Sequence, residues 1–84
     1  MEVKEITLHL SGLCIETAAK KRYELLVREL LKRDDEEKEK ELEFILDFLK
    51  KARFSELRKQ GFDGSREMRV RVRKVNGDFE VEEI

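Results

Sequence analysis

The chain alternates, then turns helical, then alternates again. Residues 3–10 (VKEITLHL) place Ile6, Leu8 and Leu10 on one side and Glu5, Thr7 and His9 on the other. That pattern predicts a half-buried strand, ended by Ser11-Gly12. From Leu13 to Arg33 the period becomes helical: Ile15, Ala19, Tyr23, Leu26 and Leu30 form one stripe, widened by Val27 and Leu31. Ser11 and Thr17 are both candidate caps for its start, and Lys32-Arg33 suit the negative end of the helix dipole.

Asp34-Asp35-Glu36-Glu37 predicts a second helix start, with Asp34 and Glu37 spaced as a capping box. Leu42, Ile45, Leu46 and Leu49 then read as the inner stripe, followed by Ala52, with Phe44 and Phe48 to its side. Gly61 can take the left-handed conformation and Phe62 can touch Leu57, as a Schellman end requires. The segment 36–60 reads either as one helix or as two, with Phe54-Ser55 the favoured place for a break.

The last third carries the most specific local signal. Met68, Val70 and Val72 alternate with Arg69, Arg71 and Arg73; Asn76-Gly77 follows; Phe79 and Val81 then alternate with Glu80 and Glu82. Asn-Gly between alternating runs calls for a two-residue type I′ hairpin. That turn sets Val75 opposite Asp78, Lys74 opposite Phe79, Arg73 opposite Glu80, Val72 opposite Val81 and Arg71 opposite Glu82.

A hairpin alone is marginal, so the first strand is expected to join it and two helices to cover the apolar face. The fold class is therefore α+β, in the order β-α-α-β-β, as a single domain over 1–84. A three-stranded, mainly antiparallel sheet in order 1-2-3 carries a two-helix layer on one face. Order 1-3-2 is the alternative.

Composition changes this picture in four ways. The chain has 84 residues with 19 Lys or Arg against 20 Asp or Glu, a net charge of −1, so any binding to polyanions must come from a local patch. No apolar run approaches the roughly 18 residues of a membrane span, and no signal-type h-region follows the N-terminus. Cys14 is the only cysteine, which excludes a disulfide scaffold and suggests a reducing, cytoplasmic setting. Scarce Asn and Gln, no Pro and abundant Lys, Arg and Glu make the composition thermophile-like.

The near-zero charge hides blocks. Residues 20–33 hold six basic and two acidic side chains, and residues 34–48 hold two basic and eight acidic. One reading is good helix design, with acid at helix starts and base at helix ends. The other is that opposite blocks mate with another copy or a partner.

Catalytic chemistry is poorly represented, and no enzyme is expected. His9 and Cys14 fall on a strand and after a turn, with no third group to orient them as a nucleophile pair. They read as a solvent-facing strand residue and a small buried hydrophobe. Two N/S ligands are too few for zinc, and Asp34–Glu37 lacks the spacing of a calcium loop. No cofactor and no small-molecule substrate is expected. Gly61 to Arg66 is not a P-loop, since a helix precedes it and a strand follows; helix termination and a turn explain its glycines.

Two surfaces remain. Arg69, Arg71 and Arg73 share the sheet face opposite the helices and could track a phosphate backbone, with Lys20 and Lys21 as a second contact. Glu80 and Glu82 opposite them, and the lack of a stacking aromatic, count against this. Tyr23, Phe44, Phe48 and Phe54 exceed what one side of so small a domain readily buries, which suggests a homodimer through the helices. The leading expectation is a non-enzymatic intracellular interaction module that forms a homodimer or binds another protein; the alternative is a nucleic-acid-binding domain.

Overall fold

A computed structural model describes residues 5–84. Residues 3 and 4, assigned above to the first strand, lie outside the described residues. The elements run β1 (Glu5–Leu10), α1 (Ile15–Lys32), α2 (Glu36–Lys51), α3 (Phe54–Lys59), β2 (Met68–Val75) and β3 (Asp78–Glu83). The sheet is antiparallel throughout in the order β1-β2-β3, so the alternative order 1-3-2 is excluded.

The hairpin forms in the expected register, from Val75 opposite Asp78 to Arg71 opposite Glu82. Asn76 and Gly77 both take positive φ, 52° and 82°, as a type I′ turn demands. Strand β1 adds to the far side of β2, with Ile6 opposite Val72 and Leu8 opposite Val70. Ile6, Leu8, Leu10, Met68, Val70 and Val72 are all buried and form the floor of the core.

Helix starts differ from expectation. Neither Ser11 nor Thr17 caps α1; Cys14 occupies the N-cap position and its side chain caps nothing. The Ile15 N–H instead donates to the Phe62 carbonyl at 3.1 Å, a long-range partner that satisfies one orphan donor of the first turn. At α2 the cap is Asp35, not Asp34: its carboxylate accepts from the N–H groups of Glu37 and Lys38.

The segment 36–60 does break, slightly before Phe54-Ser55. Ala52 and Arg53 leave the helical conformation, and α3 follows as six residues, under two turns, giving a third, minor helix. The Schellman end closes α3 as expected. Gly61 has φ 107°, the Phe62 N–H donates to the Leu57 carbonyl at 3.1 Å, and the Gly61 N–H donates to the Arg58 carbonyl at 3.2 Å.

Gly64 serves a different need. It has φ 82°, and a Cβ there would lie 2.6 Å from the Leu13 carbonyl carbon. The loop before β2 therefore packs directly on the β1–α1 connection.

The orientation of α2 is the main correction. Phe44, Ile45 and Phe48 are its buried residues, whereas Leu42 and Leu49 are half-buried and Leu46 is exposed. The rings, not the leucines, face the sheet. Phe44 and Phe48 meet Phe79 of β3 edge-on at centroid distances of 5.5 and 5.3 Å, and Phe48 meets Phe54 at 5.3 Å. Edge-to-face packing among four rings favours this rotation over one that would bury the leucine stripe.

Candidate interaction surfaces

The α2 rotation decides which residues remain available at the surface. Phe44, Phe48 and Phe54, expected at an interface, are core residues with 5%, 0% and 9% exposure. Tyr23 is half-buried and packs against the same core. The three rings therefore leave the candidate interface, and of the α2 leucines only Leu46 is exposed, Leu42 and Leu49 packing against the core.

Leu42, Leu46 and Leu49, spaced i, i+4, i+7, share one stripe of α2. Leu25 on α1 is spaced i+3 from Arg22 and i−4 from Glu29, so it shares their stripe. Those two residues join the helices: Arg22 pairs with Glu41 at 2.8 Å, and Glu29 with Lys38 at 2.6 Å. Leu25 thus lies beside the α1–α2 seam and is 44% exposed, with Leu46 at 38%. The middle of the helix layer's outer face therefore carries Leu25 and Leu46 exposed, with the half-buried Leu42 and Leu49 beside them.

Charged ridges flank the strip. Lys21, Arg28 and Lys32 occupy the solvent side of α1, roughly opposite Ile15, Ala19 and Leu26, with Glu24 at the outer margin. Glu36, Glu39 and Glu43 occupy the solvent side of α2, with Lys50 near its C-terminal end. Glu36 reaches Lys40 at 4.0 Å. Lys21, Arg28, Lys32, Glu39 and Glu43 make no ion pair among the described residues.

The open face of the sheet is organised otherwise. Arg71 pairs with Glu82 at 3.1 Å and with Glu5 at 3.9 Å, and Arg73 pairs with Glu80 at 3.3 Å. His9 meets Glu67 at 3.0 Å, and Arg66 engages Glu83 through two hydrogen bonds. Arg69 makes no ion pair among the described residues. Glu5, Glu80 and Glu82 equal the three arginines in number, which cancels most of the field a phosphate backbone would feel. Of the other expected nucleic-acid contacts, Lys20 pairs with Glu16 at 3.8 Å, while Lys21 belongs to the α1 ridge.

Cys14 is half-buried rather than buried, with its Sγ 3.3 Å from the Thr17 hydroxyl. The Thr17 hydroxyl beside it holds the thiol below its ordinary pKa. No group of three or more His, Cys, Asp or Glu among the described residues is placed to hold a metal. A shallow depression between the C-terminal end of α2, α3 and β3 is floored by Phe79 and Val81 and rimmed by Lys51, Arg53, Glu56 and Glu80. Its rim mixes both signs and converges on no single ligand chemistry. No helix among the described residues is long and apolar enough to cross a membrane.

Leu25 is, with Tyr23, part of the apolar surplus expected on helix one, but the sequence reading missed Leu46 and the unpaired ridge charges as a surface. The signal was present in the charge blocks of residues 20–33 and 34–48, but not in which members find partners inside the chain.

A family model matches residues 4–82, and the chain belongs to that family. An uncharacterized protein of Archaeoglobus fulgidus is 73% identical over 84 residues, an alignment covering 95% of this chain and 99% of that protein. No solved structure matches.

Proposed function

We propose that this small α+β protein is a non-enzymatic interaction module that self-associates through the outer face of its helix layer. The observation that carries the reading is the exposure of Leu25 and Leu46 along the α1–α2 seam, beside Leu42 and Leu49, which are half-buried and pack against the core. Covering apolar surface is favourable by about 25 cal/mol per Å², and a contiguous strip between polar ridges is the usual anatomy of an interface.

Two further features support an interaction role over a catalytic one. His9 and Cys14 sit on different elements, each engaged by its own neighbour, Glu67 and Thr17. The sheet face, the competing surface for nucleic acid, presents arginines already matched by carboxylates.

Sedimentation equilibrium from micromolar to submillimolar protein tests the reading. The wild-type chain should show a dimer whose population rises with concentration. Leu46→Asp should remain folded by circular dichroism, since Leu46 is exposed, and should sediment at the mass of one chain. A wild type of single-chain mass throughout that range would remove the proposal.

A further inference from the structure

Two copies can cover each other's leucine strips about two different twofold axes lying in the interface, and the charges distinguish them. An axis perpendicular to the helices lays α1 on α1 and α2 on α2, which sets base against base and acid against acid. An axis parallel to the helices lays α1 of each copy on α2 of the other. This second arrangement keeps every residue at its own level along the helix direction.

The levels follow from the two seam ion pairs. Arg22 is level with Glu41, and Glu29 with Lys38, because α1 and α2 are antiparallel and joined at those points. Lys21 is therefore about level with Glu43, and Arg28 with Glu36 and Glu39. Lys32 is level with the acidic start of α2 around Asp34 and Asp35. Under the parallel axis each of these bases meets those acids on the facing copy.

We infer that the partner of the helix face is a second copy of this chain, docked as an antiparallel-paired four-helix layer with the basic ridge of α1 on the acidic ridge of α2. The inference rests on the self-association proposed above and adds its geometry. The residues concerned, Lys21 and Arg28 against Glu39 and Glu43, are exposed and make no ion pair among the described residues. Among the described residues thirteen ion pairs, within the helices, across the seam and over the sheet, engage many of the other charges, while a few, such as Arg69 and Lys59, also make none. The two ridges and the strip between them form an isologous patch, as closed twofold symmetry requires. Like-charge contacts suppress the competing axis.

Charge reversal tests this on the intact chain. Lys21→Glu/Arg28→Glu makes both ridges acidic, and Glu39→Lys/Glu43→Lys makes both basic. Each variant alone should bind itself more weakly than wild type by at least about tenfold. An equimolar mixture should form a heterodimer of near wild-type affinity, and a chain carrying all four reversals should regain the homodimer. That recovery cannot come from misfolded variants. If the wild type dimerises and the two charge variants dimerise equally well, the ridge pairing is overturned while self-association through another surface, such as the β1 edge, stands. If the wild type is monomeric, both proposals fail together.

Discussion

The two outer faces of this molecule carry similar numbers of charges and treat them in opposite ways. On the sheet face Arg71 and Arg73 are matched by Glu82 and Glu80 directly across β2 and β3, so base and acid interleave at the spacing of one strand. On the helix face base collects on α1 and acid on α2, with an apolar strip between them. In the first pattern two of the three arginines are matched within the chain, and Arg69 alone of the three makes no ion pair among the described residues. The second leaves Lys21, Arg28, Glu39 and Glu43 without ion pairs among the described residues, and Leu25 and Leu46 exposed. Net charge distinguishes neither face; the arrangement of satisfied and unsatisfied groups does.

That comparison assumes that the rings of α2 belong to the core and its leucines to the surface. Replacing Phe48 with Ala removes a fully buried ring that touches Phe54 and Phe79 and should cost about 3–5 kcal/mol of stability in urea unfolding. Leu46→Ala, two residues away, should change the stability of the monomer by under about 1 kcal/mol, while weakening association. The opposite ranking would place the leucine stripe inside and break the comparison at its root.

Sequence reasoning reached the sheet more completely than the helix layer, for a physical reason. Hairpin register depends on local chemistry: Asn76-Gly77 sets the turn, and strict alternation from Met68 to Glu82 sets the faces. The facing of α2 has no such local determinant. Six apolar residues between Leu42 and Leu49 spread over a wide arc, and Phe79, distant in sequence, selects the rings. The α1 start was equally hidden, because its partner is the Phe62 carbonyl. Gly64 reads locally as a turn residue, yet its close approach to Leu13 is a tertiary fact. The charge blocks were countable from the start; what the sequence lacked was the list of which charges are already engaged.

The acidic run at the start of α2 offers a smaller and sharper test, because it mixes a residue used by the fold with residues left over. Asp35 accepts two backbone hydrogen bonds at 3.1 and 3.2 Å, so Asp35→Ala should cost about 1 kcal/mol. Asp34 caps nothing, and Glu39 and Glu43 make no ion pair among the described residues. Neutralising any of these three should leave the thermal stability of the monomer, measured at protein concentrations too low for association, within about 0.5 kcal/mol of wild type. A large loss at Glu39 or Glu43 would mean that the monomer uses the α2 ridge.

Asp47 is the α2 carboxylate that the fold employs most visibly, and its effect is the smallest of these. It bridges Lys74 at 2.9 Å and Lys51 at 3.2 Å, tying the helix layer to the hairpin. The Lys74 hydrogen bond first, and Lys51 after it, hold its pKa below the ordinary aspartate value. A carboxyl group with a lowered pKa in the folded state stabilises the fold above its unfolded pKa. That contribution fades as pH falls through the folded value, where both states are protonated. Asp47→Asn should therefore be less stable than wild type near neutral pH and indistinguishable from it in strong acid, and the gap should narrow with added salt because both lysines are partly exposed. Thermal unfolding of the two chains across that pH range measures the gap directly. A gap that persisted in acid would assign Asp47 a packing role instead of a charge-bearing one.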